Sequence, residues 1–282
     1  MNNTDIPTVL FGFPEEWENY RKRHPQWSEV SPRLESIIYR AFTRTMAIGT
    51  TKEIDKFVYF YGNLVAEDFM EILLMAGNGY GFGAMKLLRS MYEHTVVLKY
   101  LHEHPEELQA FFDFAPVQHS KLMHQIIETF GKDALPGNID DTEQEYEAVK
   151  QKFMVKTCNK NCTCTHMKLN NTWSKLDFVA MAKKTGGLGK MLMNAYYVPL
   201  LHVHSTLRTI TERLERKDEH VSFSRESQPK EADEALMTAH YCLLVAIEVQ
   251  KEQFNIPGLE DALSEANRDW ASVWSQAEIL PS

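Results

Sequence analysis

The sequence predicts an all-α protein: a single bundle of packed, mostly antiparallel helices spanning residues 1–282, with a long cysteine-containing loop. Three observations predict it. Apolar residues recur at helical spacing through most of the chain. No convincing stretch alternates polar and apolar residues as a half-buried strand would, and no internal repeat occurs. Chains of this pattern bury helix against helix around one core.

Each element follows from its own punctuation. Ser31-Pro32 predicts a helix start, with proline at the first helical position, and Ile37, Ile38, Ala41, Phe42 and Met46 continue it at helical spacing. Residues 52–76 carry Ile54, Phe57, Val58, Tyr61, Leu64, Val65, Phe69, Ile72 and Leu73 on one broad stripe, which stops at GNGYGFG, residues 77–83. A third helix is expected over 83–103, ending before Pro105, and a fourth over 105–131, broken or kinked at Pro116. Residues 132–173 read as a loop-rich excursion. Later helices are expected over 189–216, 230–253 and 258–275, with breaks at GLGK (187–190) and KDEHVSFSRESQP (217–229).

The totals exclude several classes. No run of about 18 consecutive apolar residues exists, so no transmembrane helix is expected. The net charge is -9, and no cluster of five or more Lys/Arg occurs, which argues against a nonspecific nucleic-acid surface. The N-terminal MNNTDIPTVLFGFPEEW lacks the basic start and apolar run of an export signal. Four cysteines, three of them crowded together, make a poor disulfide framework, so a cytoplasmic location is the simpler expectation.

GNGYGFG invites comparison with a phosphate-binding loop. Such loops need a strand before them and a helix after. Here a helix precedes and the Gly-Lys-Ser/Thr signature is absent, so the favoured expectation is a tight helix–helix connection with close backbone approach.

The chemistry concentrates in LLRSMYEH, residues 87–94. Arg89 and Glu93 are four apart and share a helix face, with Val96 and Tyr100 on the same stripe. Leu88, Met91, Thr95 and Leu98 cover the other side, so the Arg/Glu stripe is expected to be at least partly buried. A buried arginine needs a partner, and Glu93 is the first candidate. The pair either serves as a packing salt bridge or lines a pocket in which Arg89 takes an anionic or carbonyl group.

Four short motifs occur in order: AGNGYGFGAMKLLRSMYEHTVVLKYL at 76–101, FFDF at 111–114, Trp173, and YVPLLHVH at 197–204. Together they resemble a helical family, mostly bacterial and of unknown function, over roughly residues 35–215. That resemblance implies a site in which Tyr197 and His204 join Arg89 and Glu93. It implies no settled activity.

A second resemblance is to HEPN domains, helical nucleases and nucleotide-binding modules that carry an Arg and a His with four to six residues between them. Arg89 and His94 fit, and so do Arg213 and His220. About one such pair is expected by chance. On a regular helix Arg89 and His94 point roughly 140 degrees apart. His202 and His204 likewise diverge if helical.

CNKNCTCTH offers Cys158, Cys162, Cys164 and His166, which satisfy the count of a structural Cys3His zinc site, though not at the usual spacing of two separated knuckles. The alternative is a polar loop without metal. No group resembles an open catalytic zinc site, and no G-x-S-x-G nucleophile elbow occurs. The functional expectation is a cytoplasmic helical binding or regulatory protein, monomeric or homo-oligomeric, with a polar pocket for a small anionic or nucleotide-like ligand. The alternatives are a HEPN-like metal-independent ribonuclease and a structural partner protein without ligand.

Overall fold

The computed structural model describes residues 12–43, 51–134, 139–156, 167–204 and 207–274. In chain order its elements begin with α1 (Glu16–Arg23), α2 (Trp27–Phe42), α3 (Glu53–Gly77) and α4 (Gly81–Glu103). Next come α5 (Leu108–Asp113), α6 (Ala115–Phe130), α7 (Ile139–Val149) and the short strands β1 (Met154–Lys156) and β2 (Met167–Leu169). Then follow α8 (Phe178–Lys184), α9 (Gly187–Lys190), a π-helical turn at Met193–Tyr197, α10 (Val198–Val203) and α11 (Leu207–Thr211). The strands β3 (Leu214–Lys217) and β4 (His220–Phe223) precede the long α12 (Pro229–Phe254) and α13 (Leu259–Trp274). The protein is all-α, as its periodicity predicts, with two small antiparallel strand pairs among the described residues.

The chain divides into two compact units, residues 1–102 with 181–282, and residues 103–180. The larger unit is built on α12, which packs along α3 and also against α2 and α13. Ala235, Ala239 and Ala246 of α12 are fully buried, and such small side chains let helix axes approach closely. Gly62 of α3 serves the same end. A Cβ there would sit 2.1 Å from Gln250 Nε2. That buried amide instead donates to the Val58 carbonyl at 2.6 Å. Between α2 and α13, Arg33 clasps Asp269 through two hydrogen bonds of 2.8 and 2.6 Å.

An aromatic and imidazole cluster closes one end of this core. Trp27 meets the His240 ring edge-on at 5.7 Å, and Trp274 Nε1 donates to His240 Nδ1 at 3.3 Å. That bond leaves the proton of the neutral imidazole on Nε2.

The smaller unit holds a modest core of Phe114, Val117 and Phe153, against which Tyr146, Val149, Leu169 and Trp173 pack. Phe111 of the FFDF motif meets Trp173 edge-on at 5.5 Å. Lys152 pairs with Asp113 at 2.5 Å and holds its carboxyl below the usual range. The region 132–173 contains α7 and the β1–β2 pair.

Most expected helices fall where the periodicity places them: 52–76 at 53–77, 230–253 at 229–254, and 258–275 at 259–274. The fourth divides at Phe114, two residues before Pro116, because Pro116 has no N–H to give to the Phe112 carbonyl and its ring crowds that group, whereas it is well suited to the first turn of α6. Three expectations are corrected. α2 begins at Trp27, so Pro32 lies inside the helix. The first turn is held by Trp27 and Val30, both buried, and their packing outweighs the missing N–H. The helix expected over 189–216 is divided among α9, the π turn, α10 and α11, and its last residues belong to β3. Strands occur where none was expected. β3 and β4 are joined by Asp218-Glu219, with Asp218 in the left-handed region at φ 54, and pair Leu214 with Phe223. Four residues are too few for alternation to stand out against helical neighbours. Among the described residues, no helix is long and apolar enough to cross a membrane.

The close approach at Gly81 gives a stability prediction. A Cβ at Gly81 would lie 2.2 Å from the Gln228 carbonyl oxygen and 2.7 Å from the Ala232 nitrogen, both backbone atoms that cannot step aside. Gly81→Ala is expected to destabilise the protein by about 1–3 kcal/mol, read as a lowered urea midpoint; an unchanged midpoint would contradict the packing described.

His240 gives a pH prediction. Burial pushes its imidazole from 6.5 down to about 3. The folded protein therefore favours the neutral ring. The stability this contributes is complete above pH 6.5 and is lost as pH falls from 6.5 towards 3. In that window the urea midpoint of His240→Leu should fall less steeply than that of the parent. Parallel slopes would refute the assignment.

Candidate functional site

The start of α4 is fixed by glycines. Gly79 adopts φ +79 in the turn, the Gln228 N–H donates to the Gly79 carbonyl at 3.0 Å, and Gly77 lies flat against the Trp17 indole. The stretch 77–83 is the close helix–helix connection expected of it. From there α4 buries Leu88, Met91, Tyr92, Thr95 and Leu98. Tyr92 donates its hydroxyl proton to the Leu188 carbonyl at 2.8 Å, and burial pushes that phenol well above its ordinary range. With this register locked, Arg89 and Glu93 emerge on one side of the helix.

Arg89 is held by two partners. Its Nε donates to Glu93 Oε1 at 2.9 Å. Its guanidinium carbon sits 4.7 Å from the centre of the Tyr196 ring, and Nη2 reaches the Tyr196 hydroxyl at 3.4 Å. Among the described residues Nη1 has no acceptor. The side chains of Arg89 and Glu93 are 21% and 40% exposed, so the pair lies at a rim rather than inside the core. Stacking on an aromatic face while donating from Nε to a carboxylate suits a planar guanidinium and would not suit an ammonium.

The residues brought in by resemblance are placed differently from Arg89's immediate partners. Tyr197 is 40% exposed and stands edge-on to Tyr196, ring centres 5.3 Å apart. His204 is exposed at the end of α10, in extended backbone. No hydrogen bond or ion pair links its side chain to Arg89 among the described residues. His202 is the buried histidine of that segment. Its ring packs on Phe82 at 4.8 Å, and its Nδ1 lies 3.6 Å from Glu212 Oε2. Burial lowers its pKa, against the pull of Glu212. Arg213 covers the Phe82 ring at 4.7 Å.

Sequence reasoning missed Tyr196. The resemblance pointed to its neighbour Tyr197, and the segment carries a π turn in which the Val198 N–H donates to the Met193 carbonyl, five residues back. One extra residue in a turn rotates everything before it relative to a regular helix. Pro199 was the available signal, since it has no N–H to give to the Ala195 carbonyl and its ring crowds that group.

His94 points elsewhere. Its Nδ1 lies 2.7 Å from Asp68 Oδ2 of α3, and its ring meets Tyr61 edge-on. Arg89 and His94 thus have separate carboxylate partners. The candidate zinc ligands Cys158, Cys162, Cys164 and His166 lie outside the described residues. Among the described residues no group of three or more His, Cys, Asp or Glu side chains could hold a metal ion.

Residues 65–221 match the model of a family of unknown function, DUF5677, from the second half of α3 into β4. The chain belongs to that family. The match takes in Arg89, Glu93, Tyr196, Tyr197 and His204 together. No curated protein and no solved structure matches the chain.

The exposure of the pair sets an energetic expectation. Truncating a buried partner of Arg89 would cost several kcal/mol. At this rim, Glu93→Ala should change stability by less than about 1 kcal/mol. Chemical denaturation of the variant checks it, and a loss beyond about 3 kcal/mol would mean the pair is shielded from water.

Proposed function

We propose that the protein is a cytoplasmic helical binding or regulatory protein whose ligand is a small anion, of carboxylate or phosphate type, taken by Arg89. The observation that carries this is the state of the guanidinium. Glu93 and Tyr196 hold it, yet among the described residues Nη1 has no acceptor and the side chain stays partly open to solvent. A pre-oriented guanidinium loses little freedom on binding and offers charge-assisted hydrogen bonds. Glu93 orients the guanidinium through its Nε and tempers the local positive charge. Tyr196 supports its plane. Tyr197, half open beside Tyr196, supplies a ring edge and a hydroxyl to the rest of the ligand, which allows a nucleotide-like molecule as well as a simple acid. His204 is assigned a peripheral role at most.

The HEPN-like ribonuclease remains the second reading, favoured by one observation: His94 is oriented by Asp68 as a general base would be. It requires Arg89 and His94 to act on one phosphate. Loss of RNA cleavage in both Arg89→Ala and His94→Ala, with folding intact, would support it.

The test of the leading reading is native mass spectrometry of freshly purified protein, followed by calorimetric titration with AMP and with citrate. A bound anion or a saturable titration is expected, weakened at least tenfold in Arg89→Ala and only partly restored in Arg89→Lys. Binding that is indifferent to Arg89, or absent with both probes and from the purified protein, would overturn it.

A further inference from the structure

We infer that the outward face of α3 is a docking surface for a basic amphipathic helix of another protein. α3 packs along α12, with further contacts to α2 and α1, and among the described residues one stretch of its surface stays open. On that open side Phe60, Met70 and Leu74 are 62%, 53% and 60% exposed. Single exposed apolar residues are ordinary, but three large ones on one helix form a stripe that invites a partner. Phe60, Leu64, Glu67, Glu71 and Leu74 follow the three-and-four spacing of one helical face. At its C-terminal half the stripe becomes a groove of about 410 Å³, walled by Trp17 of α1 and lined by Glu67, Met70, Glu71, Leu73 and Leu74.

The charges choose the occupant. Glu67 and Glu71 are exposed, four residues apart, and neither has an ion-pair partner among the described residues. Like charges at this spacing repel, and an incoming Lys or Arg on either side of an apolar ridge would relieve them. A second copy of this chain fits poorly. Any two-fold pairing centred on residues 60–74 sets Glu67 against Glu67, and like-charge juxtaposition across an interface is strongly disfavoured. An anionic lipid surface is disfavoured for the same reason. The stripe is about 21 Å long at 1.5 Å per residue, room for about four turns of a partner helix.

The experiment uses the full chain and three labelled synthetic peptides of 18 residues, read by fluorescence anisotropy in about 0.15 M salt, where distant charges are screened. One places Leu on one helical face and Lys on the other. The second replaces each Lys by Glu. The third scrambles the first. The Leu/Lys helix should bind saturably and at least tenfold more tightly than the other two. Met70→Ser with Leu74→Ser should weaken it at least tenfold. Glu67→Lys with Glu71→Lys should invert the preference towards the Leu/Glu peptide. The same charge change on α7, Asp141→Lys with Glu145→Lys, should leave the preference as it was, which separates a local site from the overall charge of the chain. Circular dichroism verifies that each variant is folded. The inference is overturned if the scrambled peptide binds equally well, if neither α3 variant alters binding, or if sedimentation shows a dimer of the parent chain that Leu74→Ser dissolves.

Discussion

Gly81 lets the first turn of α4 rest against the backbone at the start of α12, and that contact fixes where α4 starts against its neighbours. The approach is nearer than any side chain would allow. It joins the end of α3, the start of α4 and the start of α12 at one corner, with Trp17 flat on Gly77 and the Gln228 N–H bonded to the Gly79 carbonyl. From this corner α4 runs with Leu88, Tyr92 and Thr95 sealed in the core, so its rotation about its own axis is set by packing. A helix free to rotate could bury Arg89 or expose it fully. Here it does neither.

That intermediate exposure governs what Arg89 can do. A fully buried guanidinium would be consumed by its partners and would contribute fold specificity at best. A fully exposed one would be hydrated, mobile and screened. At the rim, the Glu93 carboxylate and the Tyr196 ring restrict the side chain while water still reaches it. The ring arrives there through the π turn, a local cost in backbone regularity that Pro199 imposes and the site exploits. π turns of this kind recur at functional positions because they re-aim side chains without moving the helices around them.

Long elements with strong periodicity were readable from sequence. α3, α12 and α13 come within a residue or two of their expected ends, because a broad apolar stripe and clear stops leave little freedom. The Arg89–Glu93 pair was readable for the same reason, since four-residue spacing on a helix fixes adjacency. The Tyr196 contact was not, because the motif resemblance brought in Tyr197, and no spacing on one helix tells which of two adjacent tyrosines on a distant segment reaches α4. The π turn, with the break into α11, hid the fact that His202 and not His204 is the buried histidine. The strand pair at 214–223 was obscured by its shortness and its charges. Phe111 against Trp173 gives a structural reason for two of the family-like motifs, which sit in the smaller unit and hold its core together.

The geometry of α4 also weighs one functional reading against the other. Five residues of regular helix separate Arg89 from His94, which is roughly 140 degrees of rotation. Each already has its own carboxylate, Glu93 on the same helix and Asp68 on α3. For both to act on one phosphate, α4 would have to unwind between them, and its buried Leu88, Tyr92 and Thr95 resist that. The Tyr92 hydroxyl bond to Leu188 would break as well, leaving polar groups unpaired in the core. A ligand that needs Arg89 alone, with the tyrosines beside it, asks for no such rearrangement. The anion site therefore requires less of the fold than the nuclease site does, and His94 with Asp68 is left as a separate tie between α3 and α4.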